Sequence, residues 1–405
     1  MNPAKHKYTV LNQICKLIPR NLVSKLSKKH GIDKQSRSFS PWSHVVSMIF
    51  AQLAHSLSLN DVCDTCKNNK ASLETIRQAT PPSRNGLSHS NKIRNGNMAV
   101  DLFWQMLSHI QNIHPKFGLG HKYSGLPRRF KRVIVAIDST TINLVANCMD
   151  WAKHRRRKAA AKCHMQLNLQ TFLPQFAIVK AANTHDSTEA KVICANLKAG
   201  EIALFDKAYI DFKHLSELNC RGIFWVTRTK ENMQYNVVGQ HTEPKGKIIR
   251  DKIIELITPK SKEQYLEQLR LVEAEVEVNG SAKTMTFMTN NFDWAPSSVC
   301  DLYKSRWGIE VFFKQIKQTL QLADFLGHSE NAVLWQVWTA LLCYILLRYI
   351  AELGKWKGSF SRLFTLLRGV LFRRLNMISV MEICTQQRGS PRMIAAPEQT
   401  YLPGF

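Results

Sequence analysis

Two short apolar runs that each stop on an aspartate limit the architecture more than anything else in the chain. Arg132-Val133-Ile134-Val135-Ala136-Ile137-Asp138 is a continuous β-branched run, and Glu201-Ile202-Ala203-Leu204-Phe205-Asp206 repeats the theme. Apolar runs of this length without alternation mark strands covered on both faces, so helices must flank a buried sheet. Between the two, Lys162–Gln170 and Gln175–Lys180 alternate polar and apolar residues around a turn near Pro174. They predict an antiparallel hairpin beside the first strand. A helix from about Ser187 to Leu197 then leads into the second run. An aspartate at a strand end commonly caps the next turn, and either residue alone bears that reading.

A third acid tips the balance. On a helix of roughly 100° per residue, Tyr303, Arg306, Glu310 and Lys317 fall within an arc of about 60°. Leu302, Ile309, Phe312, Phe313, Ile316 and Leu320 form an apolar stripe beside it, so this helix packs on a core with one carboxylate at the edge of its buried face. A surface helix with ordinary charges has the same spacing. Two strand-end aspartates at one sheet edge, met by such a helix, favour a cluster of three carboxylates. Without cations the three would repel, so the cluster implies two divalent ions, about 3.5–4 Å apart, acting on a phosphodiester.

Charge narrows the substrate. Among 405 residues, 56 Lys and Arg face 30 Asp and Glu, a formal charge of +26. That excess points to a polyanion, and its spread along the chain favours nucleic acid over a membrane surface. The ten cysteines are irregularly spaced, and several lie in apolar runs. They read as free thiols in a reducing cytoplasm, and the lone Cys63-x-x-Cys66 pair lacks a second pair at zinc-site spacing. The start of the chain lacks the pattern of a signal peptide. Val333–Ile350 is the most apolar segment, but with Gln336, Thr339 and Arg348 it reads as a buried helix, and no membrane span is expected.

Taken in order, residues 1–125 read as helical, a DNA-binding domain or a plain packing domain, with Thr80–Arg94 forming a turn into a basic helix that is compatible with a helix-turn-helix-like reader. Residues 126–212 form the first part of the α/β core. Residues 213–298 break the rhythm with several strands and read as a mostly β insertion. Residues 299–352 complete the core, and 353–405 form a helical tail. Arg228 and Lys230 are candidate DNA contacts on an insertion strand, with rim ion pairs the alternative. Trp225 and Trp294 could stack on an unpaired base, although core packing suits a tryptophan better. The run His154–Lys158 is either a DNA-backbone contact or a solvated turn.

Tyr303-x-x-Arg306-x-x-x-Glu310-x-x-x-x-x-x-Lys317, Ile137-Asp138-Ser139-Thr140 and Asp206-Lys207-Ala208-Tyr209 resemble the motifs of the IS4 family of DDE transposases. Lys207 stands where that family commonly has arginine; it keeps the charge but lacks the planar fork. The resemblance implies an RNase H-like core interrupted by the β insertion, preceded by a helical domain and followed by a helical tail. It implies that Asp138, Asp206 and Glu310 are catalytic and bind two Mg²⁺ ions, with Mn²⁺ able to substitute. It implies that Tyr303, Arg306 and Lys317 hold DNA phosphates and that the insertion strand with Arg228 and Lys230 touches DNA. The implied partners are double-stranded DNA, as terminal inverted repeats and target, and a second copy of the chain in the DNA complex. The implied chemistry is strand cleavage followed by strand transfer, through a hairpin, in the bacterial cytoplasm. A non-catalytic repressor-like product, and a nuclease without strand transfer, remain the alternatives.

Overall fold

The computed structural model describes residues 2–35, 39–119, 130–144, 148–155, 158–182, 186–278, 281–320 and 326–386. Helices open the chain: α1 (Val10–Lys16), α2 (Leu22–Lys29), α3 (Pro41–Ala54), α4 (Leu59–Asn68), α5 (Lys70–Glu74), α6 (Arg84–Ile93) and α7 (Asn97–Ile113). Their starts are set locally. Thr9, Ser40, Ser58 and Ser83 each accept a first-turn backbone N–H on the side-chain oxygen, and Ser58 does so in a reciprocal box with Asp61. Pro41 occupies the first turn of α3, where its missing N–H costs nothing.

The middle of the chain alternates strands and helices: β1 (Ile134–Leu144), α8 (Met149–Ala152), β2 (Lys153–Arg155), β3 (Lys158–Asn168), β4 (Leu173–Ala181), α9 (Asp186–Ile193), β5 (Ile202–Phe205), α10 (Phe212–Cys220) and β6 (Phe224–Arg228). Four strands and one helix follow: β7 (Tyr235–Gln240), β8 (Ile248–Leu256), α11 (Pro259–Gln264), β9 (Leu269–Val278) and β10 (Ser281–Thr289). The chain then returns to helices: α12 (Pro296–Ser305), α13 (Trp307–Thr319), α14 (Glu330–Leu353), α15 (Phe360–Arg368) and α16 (Met377–Gln386). One ten-stranded sheet runs β2-β3-β1-β5-β6-β10-β9-β8-β7, with β4 also paired to β3. The β1–β5 and β5–β6 pairs are parallel, and the others are antiparallel. The mixed α/β class expected from the sequence is what the chain adopts.

Both faces of the central strands are covered, as their unbroken apolar runs require. Ile134, Ala136, Ile202 and Leu204 face one core with Leu302, Ile309, Phe312 and much of α14. Val135, Ile137, Ala203 and Phe205 face a second core with Ile193, Leu215 and Leu218. The first core continues without a break into α1, α3 and α7. At its centre α14 buries Trp335, Trp338 and Tyr344, each contributing about 1.5–3 kcal/mol. By length and composition α14 passes as a membrane span, yet 83% of its apolar window is buried in the protein, as expected of a core helix. Its contacts reach in three directions: Trp338 meets Phe103 of α7 at 5.3 Å, Phe312 of α13 meets Tyr344 at 5.0 Å, and Tyr344 Oη donates to the Phe172 carbonyl beyond β3 at 2.9 Å. At Gly96, just before α7, the place of a β-carbon is taken by Leu334 of α14, whose Cβ lies 2.6 Å from it.

Two elements depart from the sequence expectation. β1 does not end at Asp138; it leaves β5 after Ile137 but stays paired with β3 through Leu144. The stretch Tyr303–Lys317 is split at Arg306. Ser305 Oγ donates to the Leu302 carbonyl at 2.6 Å, taking the acceptor that Arg306 N–H would use in a regular helix. Arg306 N–H turns instead to the Tyr303 carbonyl at 3.0 Å, a tightened turn. Arg306 keeps helical dihedrals (φ −52°, ψ −34°), so the polar stripe survives the break.

Candidate active site

Register brings the first two acids together. Ile137 of β1 lies opposite Phe205 of β5, so Asp138 and Asp206 follow at the same level on neighbouring parallel strands. α13 packs across β1 through its apolar stripe and delivers Glu310 from the helix side. The break before α13 leaves Arg306 within the group rather than at its edge. Arg306 Nη1 donates to Asp138 Oδ2 at 2.9 Å and Nη2 to Glu310 Oε1 at 2.6 Å. Tyr303 Oη donates to Asp206 Oδ1 at 3.3 Å, and Arg228 Nη2 lies 3.9 Å from the same oxygen.

The electrostatics follow from that crowding. Burial pushes the Asp138 carboxyl up to about 6, with Glu310 and Asp206 adding to the rise while Arg306 and the Ser139 N–H oppose it. Burial works against the Arg306 cation, but Asp138, Tyr303, Glu310 and Asp206 outweigh it and hold the guanidinium above its ordinary pKa. Burial also raises the Tyr303 phenol, which therefore stays a donor at neutral pH. Phe287 of β10 fixes that ring from one side, with centroids 5.0 Å apart.

The remaining sequence candidates separate into two groups. Arg228 reaches the acids. Lys230 does not, being exposed and donating to the Ile210 carbonyl at 3.1 Å. Lys317 donates to the Thr141 carbonyl on the extended part of β1 at 2.7 Å, and burial lowers its pKa. Trp225 is fully buried between Phe205 and Tyr265 and is core, while Trp294 packs on Phe224 and Phe130. Arg156, Arg157 and the side chains of the rest of the His154–Lys158 run lie outside the described residues, as does the tail beyond residue 386.

Sequence reasoning missed one arrangement. Arg270 and Asp251, both with fully buried side chains, form a bidentate pair at 2.8 Å, and Arg270 Nη1 also donates to the Trp294 carbonyl at 2.6 Å. The pair bolts β8 and β9 to the loop that leads into α12, and so to Tyr303. A charged residue inside the apolar Leu269–Val272 run was the available signal.

The donor set can be weighed against a metal. Among the described residues no three Asp, Glu, His or Cys side chains are gathered around one ion, because the Arg306 guanidinium stands between two of the acids. The chemistry nonetheless suits a hard divalent cation: carboxylate oxygens only, and a half-buried Asp138 whose proton affinity Glu310 and Asp206 help to raise.

Comparison with known proteins adds to this geometry. The family profile "Transposase DDE domain" matches residues 129–346, more than half of the chain, and "Domain of unknown function (DUF4372)" matches residues 6–76. A protein of Sinorhizobium fredii named as transposase y4zB is 29% identical over 62% of this chain and 70% of its own length. A Geobacillus stearothermophilus protein named as the transposase of insertion sequence element IS5377 is 25% identical over 56% of this chain and 59% of its own length. A Synechocystis protein named for element IS4SA is 20% identical over 54% of this chain and 60% of its own length. Among solved structures, a piggyBac transposase synaptic complex with hairpin DNA overlays with a TM-score of 0.44 at 10% identity, covering 97% of this chain and 86% of that one. With the transposase profile spanning β1 to α14 and the IS4-type motif seated among the acids, the chain belongs to the DDE transposases of insertion sequences, enzymes that cut and join DNA.

Proposed function

We propose that Asp138, Asp206 and Glu310 form the catalytic centre of an RNase H-like core that cleaves element-end DNA and transfers the freed end, by cut-and-paste through a hairpin. The observation that carries this reading is the shared level of Asp138 and Asp206 on parallel strands, with Glu310 reaching the same cluster through Arg306. The sheet order β4-β3-β1-β5-β6, antiparallel then parallel, supports the RNase H-like assignment. DDE transposase domains work with divalent metal ions. The three acids would hold two Mg²⁺ ions, or Mn²⁺ in their place, which supply Lewis acidity that favours a deprotonated attacking oxygen and offsets charge on the leaving oxygen.

The chain's own residues bind and orient. Arg306 neutralises two acids in the DNA-free protein. A phosphate entering the site would compete for its guanidinium and so free the carboxylates of Asp138 and Glu310 from it. Tyr303 and Lys317 hold flanking phosphates, and Arg228 sets the Asp206 side of the site. In the first step water attacks phosphorus and the departing oxygen becomes a 3′-hydroxyl. In the transfer step that hydroxyl attacks a second phosphodiester, forming a new P–O bond as the attacked strand's own 3′-oxygen leaves and takes up a proton. The partners are duplex DNA, as terminal repeats and target, and a second copy of the chain in the DNA complex. We retain the division of residues 1–125 for DNA binding, 126–212 and 299–352 for the core, 213–298 for the insertion and 353–405 for the tail.

The test is plasmid nicking and strand joining with DNA carrying the repeats that bound the reading frame, in Mg²⁺ or Mn²⁺. Asp138→Ala, Asp206→Ala and Glu310→Ala should each abolish both products while retaining DNA binding. Nicking that survives in all three variants rejects the centre. Nicks without joined product in the wild type make the protein a nuclease, and binding without either product makes it a repressor.

A further inference from the structure

We infer that α6 is the element that reads base sequence, laying its exposed face in the DNA major groove. This rests on the proposed DNA-binding role of the helical region and names its contact surface. Arg84, Asn85, Ser88, His89 and Lys92 are all exposed and follow one another at i, i+1, i+4, i+5 and i+8. That spacing spreads them over an arc of about 140° on one side of the helix. Each carries donors or acceptors of the kind that pair with base edges, arginine with guanine and asparagine with adenine foremost. α6 has no Asp or Glu along its length, so the helix itself brings no acid against a polyanion. α6 also lies between the segments 6–76 and 129–346 that the two family profiles match, so neither profile accounts for it.

The opposite side of α6 is anchored, as a reading helix must be. Leu87, Ser90 and Asn91 are buried. His44 Nε2 of α3 donates to Asn91 Oδ1 at 2.8 Å. Burial drops the His44 pKa to about 3, so the ring is neutral and keeps that bond at any working pH. Asn331 Nδ2 donates to the Lys92 carbonyl at 3.1 Å and Trp335 Nε1 to the Arg94 carbonyl at 3.1 Å, both from α14. The Arg94 guanidinium ties the chain just past α6 back to the Phe39 and Ser40 carbonyls. The same helix α14 meets α13 through Phe312 and Tyr344, so one rigid element holds both the reading face and the helix that carries Glu310.

The experiment is a metal-free selection by the full-length chain from a pool of duplexes with a randomised core. The wild type should enrich one sequence motif. Arg84→Ala and Asn85→Ala, both at exposed positions, should each relax the preference at one or two adjacent base pairs by roughly tenfold while keeping the rest of the motif. Unfolding midpoints equal to the wild type would show that both variants fold. A wild type that enriches no motif overturns the inference, and so do variants that keep the full motif. A uniform loss of affinity across all sequences also overturns it, because that is the mark of phosphate contact alone. Because no cleavage is involved, failure here is separate from failure of the three-acid centre, which the nicking assay reads.

Discussion

Both terminal nitrogens of Arg306 are occupied by acids, 2.9 Å from Asp138 and 2.6 Å from Glu310, and this makes one side chain a competitor for anything else those acids would bind. Removing it should therefore raise metal affinity in the absence of DNA. For Arg306→Gln at pH 8, Mn²⁺ binding by the DNA-free chain is expected to tighten about tenfold, the equivalent of roughly one pKa unit of electrostatic competition. Calorimetry or the Mn²⁺ spin signal reads this directly, and an unchanged or weaker affinity would reject the competition. The positions of the three acids were legible because each ends or edges an apolar pattern. The bridge between them was not, since Arg306 sits 168 residues from Asp138 and its choice of partner is set by Coulomb attraction across the fold. Sequence spacing put Arg306 beside Glu310 but gave no sign that it also reaches the strand.

The elements that hold the site make their own demands. Taking Arg270 away would leave Asp251 buried and charged without a counter-charge, with only the Thr242 hydroxyl still donating to it, and broken buried pairs of this kind cost about 3–5 kcal/mol. Arg270→Ala should lower the denaturant midpoint accordingly and slow nicking, because the loop through Trp294 into α12 loses its clamp. A variant of wild-type stability would show the pair to be dispensable. At the junction of α3, α6 and α14, His44 folds without its proton. Its native pKa of about 3 lies below the unfolded value near 6.5, so the stability it permits is whole above pH 6.5. That stability is lost as pH falls toward 3, at up to about 1.4 kcal/mol per pH unit. The difference in thermal unfolding between wild type and His44→Gln, followed from pH 7 to pH 5, should show that slope. Parallel curves would mean that His44 does not titrate on unfolding. The runs that form β1 and β5 were readable as doubly covered strands. The extension of β1 to Leu144 was not, because Ser139, Thr140 and Thr141 give no apolar signal, and their pairing with β3 and the Lys317 contact to the Thr141 carbonyl are made across the fold. The split at Arg306 was equally hidden, since it turns on a single hydroxyl taking the Leu302 carbonyl.

Across the whole molecule, one apolar core joins the opening helices to the strands that carry the acids, with α14 as the shared member. Its near-continuous hydrophobicity was visible in the sequence, but its partners Phe103 and Phe172 were not, because both lie far away along the chain. At one point the joint has no slack: the missing side chain of Gly96 is where Leu334 sits. A methyl group there meets a β-carbon, which cannot swing aside as a flexible side-chain tip would, so Gly96→Ala must wedge the two bodies slightly apart. Overpacking of this kind costs typically 1–3 kcal/mol, a loss a large core can survive. The strand break made by such a variant should then drift by a nucleotide or lose its sharpness, although the residues proposed to contact DNA and to hold metal are all intact. Sequencing the broken ends would expose that phase error, and an unmoved break would mean that recognition and scission are aligned by some other part of the protein.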